Sequence, residues 1–392
     1  MKRTLILSAL LLAGGCAMAD SFSLTTALPT GSNFTLTMDD GITATLKWGD
    51  GTTETFVSNG TPMTTTVKDA SLTVSTNNSV TSLYVNDNSL TALNVSNLTK
   101  LVALDCNDNE ISTLTLTKLT ALSTLWCSRN HLQTLNLEKQ KSLRKLYASD
   151  NNLTSLSLAS NELTDLWVDG NEIAGTFDLS TVEKLHSLAV DNNNLDKINL
   201  NNSTSAKSAM KFFYASENNL FFNSFPTVFD KTKNTYTVAC ILAPQSPYYY
   251  TYGLNPGTQY DLSDLIRYNA WGVAISPTTV IKDNETGTEL VKGSTSDPQD
   301  YTMSGSYKYT FNTEHNRVIA TVSSAMYPDL ELSTKPFAIL ADLSSIDEIE
   351  SAVNAGVQTM YDLNGRRIDT KALFENGAPG VYIQNGKKII LK

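Results

Sequence analysis

Between Val80 and Phe225 the chain repeats itself every 20 to 25 residues, and no other feature restricts the fold as strongly. Leu101, Leu104, Cys106, Asn109 and Ile111 are followed at the same spacing by Leu122, Leu125, Cys127, Asn130 and Leu132. Leu143, Leu146, Ala148, Asn151 and Leu153 come next. Seven copies begin at Val80, Leu101, Leu122, Leu143, Leu163, Leu185 and Met210, with spacings of 21, 21, 21, 20, 22 and 25 residues. A unit this short cannot enclose a core alone. Turn must stack on turn, with the first, fourth, sixth and eleventh residues of each copy pointing into one shared interior.

These positions resemble the L-x-x-L-x-L-x-x-N-x-L pattern of leucine-rich repeats. The resemblance implies a solenoid in which the ninth-position Asn residues, Asn88, Asn109, Asn130, Asn151, Asn171, Asn193 and Asn218, satisfy buried backbone groups where the chain leaves each strand. That job needs a donor and an acceptor on one side chain. A second apolar pair in each turn, such as Leu114 with Leu116 or Leu135 with Leu137, predicts another short extended segment. No helix-length stretch separates the strands. The expected fold is mainly β, a slim leucine-rich-repeat solenoid of about seven repeats, capped by a small N-terminal β unit and a C-terminal β-sandwich. Cys106 and Cys127 fall on the same inward position of adjacent repeats and read as small core side chains. Cys240 has no evident partner.

Side chains alternate across a strand, so the third, fifth and seventh residues of each copy face outward. The fifth position reads Tyr84, Asp105, Trp126, Tyr147, Trp167, Ala189 and Tyr214. Five of the seven are aromatic in a chain that is 8% aromatic overall, where fewer than one is expected by chance. Cross-strand stacking that only steadies the sheet is one account of the row. A binding face is the other, because Trp and Tyr concentrate at interaction hot spots. Acids lie nearby at Asp87, Asp108, Asp150, Asp165, Asp169, Asp191 and Glu217. The candidate ligand-binding residues are therefore Tyr84, Asp105, Trp126, Tyr147, Trp167, Tyr214, Asp165 and Asp169. Aromatic faces beside carboxylates suit sugar rings, and equally a protein ligand with exposed Lys or Arg. A calcium row is disfavoured because Arg129 and Gly170 interrupt the acids; Arg129 is expected to bridge Asp108 and Asp150.

The flanks differ from the repeats. Lys2 and Arg3 precede the apolar run from Leu5 to Ala13, with Ala17 and Ala19 ahead of Asp20, so residues 1–19 read as a secretory signal cleaved after Ala19. A second reading makes Cys16, after Ala13-Gly14-Gly15, the acylated first residue and lipid anchor of the mature protein. Residues 20–79 alternate Thr with apolar side chains around Asp40-Gly41 and Asp50-Gly51 turns and predict a small β cap. Trp48-Gly49-Asp50-Gly51 in that cap resembles the W-G-D-G turn of polycystic-kidney-disease-type β-sandwich domains. Residues 80–225 hold the repeats, and residues 226–340, with short β-prone runs at roughly ten-residue intervals, predict an immunoglobulin-like β-sandwich. The tyrosine cluster Tyr248, Tyr249, Tyr250 and Tyr252 is expected to cap the last repeat. Residues 341–392 combine an acidic linker with two hairpins, signalled by Asn364-Gly365 and Asn385-Gly386. The stretches 360–368 and 380–392 resemble the C-terminal sorting module of the type IX secretion system of Bacteroidetes.

Composition narrows the function. With 29 Lys+Arg against 39 Asp+Glu the net charge is -10, which argues against nucleic acid as a partner. Loss of Lys2 and Arg3 with the signal would leave 27 against 39, or -12. Three His leave few candidates for a general base or a zinc site, and no cofactor motif is present. After signal removal no segment approaches the roughly 20 apolar residues of a membrane span. Taken whole, the chain resembles the secreted leucine-rich-repeat proteins of Bacteroidetes, and more distantly the internalin-type adhesins. That resemblance implies a non-enzymatic protein, exported to the outer-membrane surface or the extracellular space, that binds a protein or carbohydrate ligand, including one of host origin. Two alternatives stand beside it: a structural component of the envelope, and a hydrolase sited around Glu314 and His315 in the sandwich.

Overall fold

Each repeat buries its fourth residue by extending the chain for three residues around it, and in-register stacking of those short strands builds the interior. The computed structural model describes residues 20–340 apart from 228, 231–234, 237, 248–252, 295, 306 and 335, and the backbone of short strands between 360 and 391. The chain divides into two compact units, residues 1–160 and 161–392. Both carry turns of a leucine-rich-repeat solenoid. Tyr248 to Tyr252, the leader with Cys16, and the side chains of the sorting-like segment lie outside the described residues.

In the first unit the strands Ser82–Tyr84, Ala103–Asp105, Thr124–Trp126 and Lys145–Tyr147 run parallel. Leu83 pairs with Leu104, Leu104 with Leu125, and Leu125 with Leu146. All four leucines are fully buried, each worth roughly 1.5–3 kcal/mol of transfer from water. The expected second extended segment is present as Asn136–Leu137, which pairs in parallel with Ser157–Leu158.

The β cap closes this end by continuing both sides of the stack. Its larger antiparallel sheet, Thr53–Val57, Thr43–Trp48, Ser71–Thr76 and Asp20–Thr26 in that order, ends against Leu90–Asn94 of the first repeat. Its smaller one, Met63–Thr66 with Asn33–Met38, ends against Ser82–Tyr84 through Thr37↔Tyr84 and Met38↔Leu83. Between the two sheets Phe34 meets Trp48 edge to face, with ring centroids 5.9 Å apart. Asp20 Oδ2 accepts the Val80 N–H (2.8 Å), which ties the start of the first repeat to the cap.

In the second unit the strands Asp165–Trp167, Ser187–Ala189 and Phe212–Tyr214 continue the pattern, with Leu166 opposite Leu188 and Leu188 opposite Phe213. Ala174–Leu179 and Asn194–Leu200 pair in parallel as the second segment. The insertion after Asn201 folds into a short helix, Thr204–Ala209, started by Ser203, whose hydroxyl accepts the Ala206 N–H (3.2 Å). Parallel pairing then passes the boundary read at Phe225. Ala239–Ile241 adds one more strand, placing Cys240 opposite Phe213 and Ile241 opposite Tyr214.

Beyond it, Gly253–Leu254, Phe337–Ile339, His315–Ser324 and Thr278–Asp283 form one sheet in that order, with Tyr327–Ser333 also paired to His315–Ser324. Gln259–Asp261, Lys308–Phe311 and Tyr301–Ser304 form a second. Tyr260 and Phe311 from the second sheet pack on Phe337 of the first, with centroids 5.0 and 5.8 Å apart. Tyr327 stacks on Phe222 of the last leucine-rich turn (5.2 Å) and its hydroxyl donates to Pro226 O (3.1 Å). Near the C-terminus Gly380–Gln384 pairs antiparallel with Lys387–Leu391 and Met360–Tyr361 with Arg367–Ile368, the pairing expected of the two hairpins.

Candidate binding face

The asparagine ladder holds the strands in register. Asn130 Oδ1 accepts the Ile111 N–H (3.0 Å), while its Nδ2 donates to Cys106 O, Cys127 O and Ser128 O at 2.9, 3.2 and 3.2 Å. Asn109, Asn151, Asn193 and Asn218 repeat this arrangement with their own neighbours. Asn171 donates to Val168 O and Asp169 O. Asn88 turns the same groups onto the cap, accepting the Thr35 N–H and donating to Thr35 O. In the added eighth turn Gln245 takes the role. It accepts the Leu220 N–H (3.0 Å) and donates to Ala215 O (2.7 Å) and to Leu242 O.

One step before the Asn, the backbone is left-handed in every turn. Asp87, Asp108, Arg129, Asp150, Asn192 and Glu217 have φ between 50° and 54°, and Gly170 has 63°. Asp, Asn and Gly tolerate this region best. The aspartates Asp87, Asp108 and Asp150 of the outward acidic row therefore have a conformational cause. Among the described residues no group of three or more His, Cys, Asp or Glu is arranged to hold a metal ion. Arg129 pairs with Asp108 through Nε and through Nη2 (2.7 Å to Oδ2), whereas Asp150 acts on it through charge alone. The expected two-sided bridge is thus one-sided.

In the first unit the fifth-position side chains form a continuous outward row. Trp126 and Tyr147 are parallel to within 7°, with centroids 6.0 Å apart. Tyr84 and Trp126 stand two strands apart, about 9.6 Å by ordinary strand spacing. Their rings nevertheless approach to 6.3 Å with a 36° tilt. They lean together over Asp105, the residue between them. Asp105 is half-buried, and burial raises its pKa. The Asn107 N–H at Oδ1 (3.0 Å) opposes that shift, the Asp108 charge adds to it, and Arg129 opposes it.

In the second unit Trp167 is 39% exposed and its indole N–H donates to Ser187 Oγ (2.9 Å) on the adjacent strand, where Ala189 is buried. Phe212, also 39% exposed, lies between His186 (5.4 Å) and Tyr214 (6.4 Å). Asp191 Oδ1 accepts from the Ser216 N–H and hydroxyl at 2.8 and 2.6 Å, so it braces the turn. Asp165 accepts the Thr164 hydroxyl (2.8 Å). Phe212 and Ile241, the latter 55% exposed, belong to this face but escape a reading confined to the fifth position of seven repeats. Strand alternation alone identifies Phe212; Ile241 depends on the eighth turn.

The remaining chemical candidates are the buried thiols and His315. Cys106 and Cys127 are free and fully buried, and burial pushes the Cys127 thiol up to about 12. His315 Nε2 lies 2.9 Å from Thr313 Oγ1 and its Nδ1 lies 3.5 Å from Asp283 Oδ2. Asp283 is committed to a turn through the N–H groups of Glu285 and Thr286, and none of the described cavities is lined by these side chains. No helix among the described residues is long and apolar enough to cross a membrane.

No family model and no curated protein matches the chain. Among solved structures it is similar to the functional domain of InlJ from Listeria monocytogenes, which includes a cysteine ladder, at 17% identity and a TM-score of 0.32, covering 67% of this chain and 70% of that one. An internalin, InlF, from the same species is 20% identical with a TM-score of 0.27, covering 35% and 48% of the two chains. InlP from Listeria monocytogenes is 15% identical with a TM-score of 0.34, covering 63% and 75%.

Proposed function

We propose that this protein is exported and binds a macromolecule, protein or glycan, through its outward aromatic row, without catalysing a reaction. The carrying observation is the packed row Tyr84, Trp126 and Tyr147 with Asp105 between the first two, which presents apolar rings and a carboxylate together on the solvent side of the sheet. Such amphipathic, conformationally stiff side chains give large contact area for little lost entropy. The leader-like residues 1–19 and the sorting-like C-terminal stretch support placement outside the cell, at the outer-membrane surface or released. The route is read out by mass spectrometry of both mature termini.

The function test is capture of ligand from a glycan array and from a host-cell surface extract by the wild type and by Trp126→Ala/Trp167→Ala. The double variant should lose capture while keeping cooperative urea unfolding. Losing the two ring pairs at Trp126 is expected to cost about 1–3 kcal/mol beyond the area that the indole itself buries. Equal capture by the variant would refute the aromatic face, and sugar-only or protein-only capture would decide the ligand class.

A further inference from the structure

We propose that Tyr84, Asp105 and Trp126 form a slot for an arginine side chain carried by a protein partner. This rests on the binding reading above and narrows it to one ligand chemistry. The fifth position is aromatic in five repeats, so a carboxylate there is not demanded by the fold. Asp105 is nevertheless held half-buried between two aromatic rings with one hydrogen bond, from the Asn107 N–H to Oδ1. Its Oδ2 makes none among the described residues. Half-buried between two rings and accepting a single hydrogen bond, this carboxylate keeps the capacity to accept from a charged donor.

The neighbouring cation acts on Asp105 through charge alone. The Arg129 guanidinium is occupied by Asp108. Lys145 stands two strands away along the same face. The aromatic geometry then favours one kind of cation. A planar group slotted between two rings needs about 7 Å, twice the roughly 3.5 Å contact distance. The Tyr84 and Trp126 centroids lie at 6.3 Å, so the rings need part by less than one further ångström-scale step, within side-chain adjustment. Guanidinium is planar, stacks on aromatic faces and presents paired N–H groups to a carboxylate, whereas an ammonium is a compact, strongly hydrated point charge. A neutral sugar ring gains stacking but leaves the Asp105 charge unmatched. The chain's net charge of -10 also favours a basic partner segment on approach.

The test uses the full chain and a five-residue peptide, acetyl-Ser-Gly-Arg-Gly-Ser-amide, with the citrulline peptide as its neutral, equally planar counterpart. Binding is followed by two-dimensional NMR at the Trp126 indole N–H and the Asn107 amide. The arginine peptide should shift both signals, and the citrulline peptide should bind at least about tenfold more weakly, the loss of one charge-assisted hydrogen bond. Asp105→Asn should remove the preference, because its amide oxygen still accepts the Asn107 N–H while the charge is gone. Asp87→Asn, at a left-handed position that Asn also adopts, serves as the control for general acidity and should keep the preference. Equal binding of the two peptides, retention of the preference in Asp105→Asn, or no shift with the arginine peptide would each overturn the slot. If Trp126→Ala/Trp167→Ala abolishes macromolecular capture while arginine fails to bind, the slot alone falls; if capture also survives, the aromatic face falls with it.

Discussion

Asn130→Ala isolates what one rung of the ladder contributes. The substitution removes four hydrogen bonds, but their losses are unequal. Cys106 O keeps a donor in Asn109 Nδ2 (3.0 Å), Cys127 O keeps Asn151 Nδ2 (3.0 Å), and Ser128 O keeps the Asp108 N–H (3.0 Å). Among the described residues the Ile111 N–H has no other acceptor and becomes a buried orphan, a penalty of about 1–3 kcal/mol. Adding a few tenths for each weakened carbonyl gives a loss of about 3 kcal/mol, to be read from urea denaturation. Asn152→Ala, one residue type and one turn along on the exposed side of Asn151, provides the control and should stay within about 0.5 kcal/mol of wild type. Asn130→Asp sharpens the test. It keeps the acceptor but turns a carboxylate toward three carbonyls, so at neutral pH it should be at least as damaging as Ala. If Asn130→Ala matches the Asn152→Ala control, or if Asp is tolerated, the ladder is not satisfying buried backbone and the account of register fails.

Two further outcomes follow from burial and close approach. Cys106 and Cys127 should resist iodoacetamide at pH 8 in the native protein and react fully in urea, as counted by intact mass. Because burial raises their folded pKa above the ordinary thiol value of 9.0, to about 12 for Cys127, the stabilisation from keeping them neutral is intact below pH 9 and fades as the pH climbs toward 12. Native alkylation at pH 8 would contradict their inward placement. Gly49→Ala should destabilise the N-terminal cap by about 1–3 kcal/mol, because a Cβ there would lie 2.2 Å from Asp69 Oδ1 and 2.3 Å from Ser71 Oγ. Asp69 Oδ1 is held by the Ser71 N–H and hydroxyl (both 2.9 Å), so the penalty should shrink in an Asp69→Ala background; an unchanged penalty in thermal melts would point to backbone conformation instead.

The inward set was legible because every repeat solves the same packing problem at the same positions. Leu104, Leu125 and Leu146 needed no long-range information to be assigned. The left-handed step before each Asn was also written in the sequence, as the excess of Asp, Asn and Gly at the eighth position, but Arg129 and Glu217 blurred it and proximity to the aromatics suggested a ligand row. The eighth turn was hidden for a different reason. Cys240 and Gln245 replace the Leu and Asn of the pattern, yet one is a small, half-buried side chain at the same strand position and the other carries the same donor and acceptor on a longer arm. Chemistry survived where identity did not.

By itself the sequence determined the stacked turns, their buried faces and the outward aromatic row, since strand alternation and nearest-neighbour stacking follow from a repeat of fixed length. Tertiary structure alone decided how the cap joins the first repeat, with Thr37 and Met38 pairing against Tyr84 and Leu83 across more than forty residues. It also decided that Tyr84 and Trp126 lean over Asp105. Those contacts depend on which side chains meet in space, and periodicity states only which way each one points.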